Sequence, residues 1–137
     1  NPSSYLSFPE DEMREWEFLS EMVRRTGCYL LLDVNNIYVS AHNHEFSTRD
    51  YIGGLPLESV RQIHLAGHEP GTIIVDTHDR AVADGVWALY AAVIAKVGPV
   101  ATMIERDANI PALPELLREL DRARSVGQAS LSQANAA

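Results

Sequence analysis

Apolar positions along the chain alternate between helical stripes and short continuous runs. From Met13 to Val23 they recur at helical spacing, which predicts an amphipathic helix that ends at Gly27. The run 28–34 is apolar almost without interruption and stops at a pair of asparagines, which is typical of a strand covered on both faces. Two similar runs, 60–66 and 99–105, predict two more strands.

Further stripes lie between and after these strands. One runs from Val82 to Val97 and is closed by Gly98. Another covers 113–120, with prolines at 111 and 114 near its start. Strands that alternate with helices favour a parallel α/β architecture. A short apolar run at 73–75 is a candidate fourth strand, and the polar, small-residue segment 125–137 is predicted to be a flexible tail.

Composition narrows the function classes. A length of 137 residues fits one domain, and 11 basic against 19 acidic residues give a net charge of −8, which disfavours binding to nucleic acid or to an anionic membrane. The single cysteine, Cys28, excludes an internal disulfide and an all-thiolate metal site. No apolar run is long enough to span a membrane and the start does not resemble a signal peptide, so we expect a cytoplasmic protein.

Each predicted strand carries a polar side chain at or near its carboxyl end. Asp33, His64 and Glu105 occupy these positions, and the carboxyl ends of parallel strands meet at one edge of a sheet. Taken singly, Asp33 could cap a helix, His64 could be a hydrogen-bonded core histidine, and Glu105 could pair with Arg106. Their coincidence at one edge favours a site, since buried carboxylates need a cation or hydrogen-bond donors.

Asp76 and His78 add a second pair of polar groups. In an extended segment, residues two apart point to the same side, so these two side chains could share one ion. Carboxylate and imidazole ligands without thiolate suit iron, manganese or zinc, and both non-heme iron enzymes and dinuclear hydrolases use such sets. The spacing of His64 and His68 does not indicate a zinc-protease motif, because Leu65 occupies the place of its glutamate.

Five ordered motifs resemble one family. They are Asn1–Leu6 (NPSSYL), Leu31–Asn36 (LLDVNN), His64–His68 (HLAGH), Asp76–His78 (DTH) and Ile104–Asp107 (IERD). In this order they are similar to the multinuclear non-heme iron-dependent oxidative enzymes, of which the methanobactin-biosynthesis iron enzyme is the best-known type. The resemblance extends from Asn1 to about Arg124.

The resemblance implies a (β/α)₈ TIM barrel of the xylose-isomerase-like superfamily. A complete barrel needs about 250 residues, so residues 1–124 are expected to be its carboxyl-terminal half. The family is expected to hold two or three iron ions, with zinc or manganese as alternatives, and to modify cysteines of ribosomally made peptides oxidatively with molecular oxygen. A partner protein often presents the peptide.

The resemblance also implies roles for individual residues. The family's ligand positions fall on Asp33, His64, Asp76, His78 and Glu105. Asn36 is a further metal-ligand candidate, whereas Asn35, His68 and Asp107 are expected to orient the ligands through hydrogen bonds.

The family's pattern also includes residues that this chain lacks. It has a bridging glutamate immediately before the motif that starts at Asn1, and two metal-binding histidines in the earlier half of the barrel. Two other hypotheses therefore stay open: a metal-dependent hydrolase or isomerase of the same superfamily, and a noncatalytic half-barrel that forms a homo-oligomer through its open strand edges.

Overall fold

The computed structural model describes residues 5–136, so Asn1 to Ser4 of the first motif and Ala137 lie outside the described residues. Three parallel strands form one sheet in the order β1 (Leu30–Asp33), β2 (Val60–Leu65) and β3 (Ala101–Ile104). The helices are α1 (Glu15–Thr26), α2 (Val34–His44), α3 (Thr48–Gly54), α4 (Asp84–Val97) and α5 (Leu113–Ala134), with a 3₁₀ turn at Leu57–Ser59. The three predicted strands and the mixed α/β class are confirmed.

Local chemistry explains where the elements begin and end. Gly27 takes the left-handed conformation with φ 69° and closes α1, as predicted. Strand β1 passes directly into α2, because Asp33 is both the last residue of the strand and the N-cap of the helix. Its side chain accepts a hydrogen bond of 2.8 Å from the backbone N–H of Asn36. The carboxyl end of β1 is therefore rigidly joined to a helix start.

Within residues 5–136, helices cover one face of the sheet and leave the other uncovered. Leu32 and Ile63 point toward the helical layer and are buried, whereas Leu31 and Met103 point to the other face and are 50% and 37% exposed. The prediction of strands covered on both faces is therefore wrong for the described residues. The apolar side chains of β1 lie on both faces of the sheet, and the described residues cover one of these faces.

The segment 73–75 does not join the sheet. It lies in the long connection between β2 and α4, where Val75 forms an isolated antiparallel bridge with Glu69. The side-chain amide of Asn43 in α2 hydrogen-bonds the backbone of Ile74 through both its nitrogen and its oxygen, each at 2.9 Å. Ile74 is buried and Ile73 is 64% exposed, so this apolar run anchors a loop and is not a fourth strand.

The carboxyl-terminal segment, expected to be a flexible tail, is helical as far as Ala134. Helix α5 continues to Ala134, and its small residues Ala123, Gly127 and Ser130 are buried. Leu131 packs against the core, and Gly127 faces the ring of Tyr90 in α4. The small side chains that suggested a frayed tail let α5 approach α4 closely. Within residues 5–136, no helix combines the length and apolar character that a membrane crossing requires.

Candidate metal centre

The three strand ends bring Asp33, His64 and Glu105 together. The register places Asp33 beside His64, and Oδ2 of Asp33 lies 2.9 Å from Nδ1 of His64. On its other side, Nε2 of His64 lies 2.8 Å from Oε2 of Glu105. The backbone N–H of Glu105 donates to the carbonyl of Leu65 at the end of β2, over 2.9 Å, which fixes the start of the turn after β3.

His78 joins this group from the loop between β2 and α4. Its Nε2 lies 2.8 Å from Oδ1 of Asp76, and its Nδ1 lies 3.1 Å from Oε2 of Glu105 and 3.4 Å from Oδ2 of Asp107. Asp76 and His78 therefore meet, but not by the alternation of an extended segment. His78 has φ 53°, in the left-handed region, so the backbone is not extended at the residue whose side chain meets Asp76.

The two asparagines after β1 hold Asp76. The side-chain N–H of Asn35 donates to Oδ1 of Asp76, and that of Asn36 donates to Oδ2 over 3.1 Å. The oxygen of Asn35 lies 2.8 Å from Nδ1 of His68, whose ring stacks on Tyr38 at 5.2 Å between centroids. A continuous polar network thus connects α2 with the loop that carries Asp76.

The surroundings of the two imidazoles shift their pKa values in opposite directions. Burial alone would lower the pKa of His64, but the hydrogen bond with Asp33 and the negative charges of the nearby carboxylates outweigh it, so this pKa is raised. Burial lowers the pKa of His68, which favours its neutral ring. The strand-end site therefore attracts positive charge.

The donor set and its unpartnered atoms fit a metal ion. Two groups, His64 with His78 and Glu105, and Asp33 with Asp76 and His78, each have ligand atoms within 4.8 Å of one another. Metal–ligand bonds of about 2.0–2.2 Å place the ligand atoms of one ion within about 4.4 Å of one another, so groups as compact as these have the size that one ion needs. Within residues 5–136, Nε2 of His64 and Nε2 of His78 are buried and have no hydrogen-bond partner, although each lies 2.8 Å from a carboxylate oxygen. Histidine nitrogens that face carboxylates in this way are suited to bind a shared cation.

Several residues of this region were not found from the sequence. The hydroxyl of Tyr5 accepts a hydrogen bond of 2.8 Å from the backbone N–H of Asp76, and Tyr38 supports His68. The alternative that Glu105 pairs with Arg106 is wrong, because Arg106 pairs with Glu119 at 2.8 Å. Only Tyr5 had a signal in the sequence, since it belongs to the first motif.

Comparison with known proteins now decides the family. Residues 1–128 match the family described as RiPP precursor modification enzyme MbnB/TglH/ChrH, where RiPP denotes a ribosomally made, modified peptide. The chain belongs to this family. The family resemblance inferred from the five motifs is therefore confirmed.

Curated relatives of the chain are named UPF0276 proteins. It is 60% identical over 135 residues to a UPF0276 protein of Rhizorhabdus wittichii, covering 98% of this chain and 48% of the relative. A UPF0276 protein of Caulobacter vibrioides is 59% identical over 126 residues, with 91% of this chain and 45% of the relative covered. A UPF0276 protein of Bordetella bronchiseptica is 51% identical, with 89% of this chain and 44% of the relative covered. The chain thus spans about half the length of the curated relatives it matches.

Proposed function

We propose that this chain supplies part of the metal centre of an iron-dependent enzyme that oxidises cysteine residues in a ribosomally made peptide precursor. The observation that carries the proposal is the convergence of Asp33, His64, Asp76, His78 and Glu105, with unpartnered buried nitrogens on both histidines. The family's description as precursor-peptide modification enzymes supports the substrate class.

The contacts suggest how the residues divide the work. Asp33 accepts a hydrogen bond from Nδ1–H of His64, which directs Nε2 at the place where Glu105 approaches. Glu105 lies between the two histidines, with Oε2 close to both, and would help to hold the metal there. Asn35 and Asn36 orient Asp76, and Asp107 approaches His78. Asn36 is the further ligand candidate. Bound iron would supply electron transfer with molecular oxygen as the oxidant.

We further propose that the whole protein is a TIM barrel of the xylose-isomerase-like superfamily and that residues 1–124 belong to its carboxyl half. Three parallel strands, with the helices on one face and candidate ligands at the carboxyl ends, are the arrangement that such a barrel requires. The apolar side chains of Leu31 and Met103 lie on the uncovered face. In a closed barrel this face would be the packed interior.

The substrate and partner proposals follow from the family. A cysteine-containing precursor peptide, made in the cytoplasm and presented by a partner protein, would approach the carboxyl edge of the sheet, where the candidate ligands lie. The described part of the chain has its own cysteine, Cys28, before β1 and thus at the opposite end of that strand from Asp33. We therefore assign Cys28 no part in the reaction.

Metal analysis of the full-length protein tests the proposal. We expect two or three iron ions per chain, and a loss of at least one ion in His64→Ala and in Glu105→Ala. His42→Ala and Glu69→Ala are matched controls, because the exposed ring of His42 contacts the carbonyl of Thr72 and, among the described contacts, none of the candidate ligands. Glu69 pairs with Arg80 at the surface. Both controls should keep the metal content of the wild type.

Metal identity, the oxygen dependence of turnover and the size of the protein in solution separate the competing hypotheses. Zinc or manganese at the site, with oxygen-independent turnover, would favour a hydrolase or isomerase and contradict the oxidative proposal. Unchanged metal content in both His64→Ala and Glu105→Ala would refute the assigned ligands. Sizing in solution addresses association, since a homo-oligomer without bound metal would favour the noncatalytic half-barrel.

A further inference from the structure

The turn after β3 directs three consecutive side chains in two directions. Glu105 and Asp107 both approach Nδ1 of His78, at 3.1 and 3.4 Å. Arg106, between them, turns toward α5, where its Nη2 lies 2.8 Å from Oε2 of Glu119. The side chains of Arg106 and Glu119 are only 7% and 12% exposed. A buried ion pair therefore lies directly behind two acids of the candidate metal centre.

Glu119 also holds the loop that carries His78. Its second carboxylate oxygen, Oε1, accepts a hydrogen bond of 2.9 Å from the backbone N–H of Val82, shortly before α4. One side chain of α5 thus binds both the turn after β3 and the end of the β2–α4 loop. The backbone of the two segments is joined as well, since the N–H of Asp107 donates to the carbonyl of His78 over 2.9 Å.

The ion pair with Glu119 balances the charge of Arg106, which would otherwise need another partner. Removing one partner of a buried ion pair leaves an uncompensated charge, so the remaining side chain moves toward water or toward another partner. For Arg106, oppositely charged carboxylates lie immediately next to it in the chain, on Glu105 and Asp107. Pairing with Glu119 keeps the guanidinium away from these acids and leaves their oxygens directed at the histidines.

We propose that Arg106 and Glu119 form a positioning pair that sets the approach of Glu105 and Asp107 to His78. The inference rests on the metal centre proposed above and extends it to two residues that contact none of the candidate ligand atoms. It predicts that the pair controls the affinity and the coordination geometry of the site in addition to any contribution to folding.

Cobalt(II) binding to the full-length protein tests this inference, because the visible absorption of Co(II) reports its coordination geometry. We expect Arg106→Gln to weaken Co(II) binding by about 10- to 100-fold, the usual effect of removing a group that orients metal ligands, and to change the absorption spectrum. Arg106→Lys should restore binding to within about threefold, because the ion pair uses one nitrogen and Lys can supply one charged donor.

Arg122→Gln is the matched control. Arg122 lies on α5, the helix that carries Glu119, and pairs with Asp84 of α4 at 2.8 Å, but this pair is exposed. The Arg122→Gln variant should bind Co(II) with the affinity and the absorption spectrum of the wild type. Wild-type affinity and spectrum in Arg106→Gln would overturn the inference, even if that variant is less stable. If Arg106→Gln does not fold, Glu119→Gln replaces it under the same criterion.

Failure of the wild type to bind Co(II) would refute the metal centre itself. The positioning role of Arg106 and Glu119 can then be tested separately, without metal. Amide hydrogen exchange at Glu105 and Asp107 reports whether the turn stays bonded to the carbonyls of Leu65 and His78. We expect faster exchange at both amides in Arg106→Gln, and unchanged exchange in Arg122→Gln. Wild-type exchange at both amides in Arg106→Gln would overturn the positioning role on its own.

Discussion

Gly67→Ala is the substitution for which the structure makes the sharpest prediction. Gly67 is buried just after β2, and a Cβ atom added there would lie 2.3 Å from the carbonyl oxygen of Arg80 and 2.7 Å from that of Ala81. Both oxygens belong to the backbone, so no side-chain rotation relieves the clash. The contact is about 1 Å shorter than ordinary van der Waals distance, and the β2–α4 loop must move to accommodate it.

The magnitude follows from this overpacking and from the bonds that the loop would lose. Forcing a methyl group into a closely packed site costs about 1–3 kcal/mol. The carbonyl of Gly67 also accepts hydrogen bonds from the backbone of His78 at 3.0 Å and from the side chain of Asn35 at 3.4 Å. We therefore expect a loss of about 1–3 kcal/mol in unfolding free energy, together with weaker metal binding.

Urea denaturation at fixed pH, with metal removed by a chelator, measures the first effect, and a Co(II) titration measures the second. Gly53→Ala is the matched control, because Gly53 is exposed in α3 and an added Cβ would meet nothing within 4 Å. That variant should be neutral or more stable by up to about 1 kcal/mol. Equal stability of Gly67→Ala and Gly53→Ala, within about 0.5 kcal/mol, would refute the packing argument.

Two further predictions concern residues away from the site. Burial raises the pKa of Glu15 above 4.5, despite the opposing hydrogen bond from Tyr51. The folded chain therefore holds the Glu15 proton more tightly than the unfolded chain does. The unfolding free energy of the wild type, relative to that of Glu15→Gln, should fall as pH rises from 4.5, measured by urea denaturation at each pH. A difference that stays constant with pH would contradict the raised pKa. Leu131→Ala should lower the unfolding free energy by about 1–2 kcal/mol, because Leu131 is partly buried against the core, whereas Leu117→Ala, at a position 48% exposed on the same helix, should change it by less than about 0.5 kcal/mol. Equal effects of the two leucine substitutions would contradict the docking of the last turns of α5.

Local sequence signals predicted the elements that local chemistry defines. Gly27 and Gly98 mark the ends of α1 and α4, and the three apolar runs form the three strands. Segments decided by distant contacts were predicted less well. The run 73–75 looks like a strand in isolation, but the amide of Asn43 on another helix captures its backbone. The buried small residues of α5 become interpretable only when α4 lies beside them.

The candidate site shows the same division. Strand-end positions and parallel pairing were sufficient to expect that Asp33, His64 and Glu105 would meet. The two hypotheses for Asp33, a helix cap and a member of the site, are both compatible with the structure, because one oxygen caps α2 and the other contacts His64. The partner of Arg106 could not be predicted, since nothing in a local pattern distinguishes Glu119 from the acids next to Arg106.

The parallel register of the sheet has a consequence for the fidelity of folding. Asp33 and His64 lie 31 positions apart in the chain, and they face each other only when β2 pairs with β1 in the observed register. A slip of one residue would place Ile63 or Leu65 beside Asp33 and turn the imidazole toward the helical layer. A cation bound by this cluster would therefore stabilise the correctly aligned sheet and not its slipped alternatives. Metal binding would thus favour the native strand register during folding.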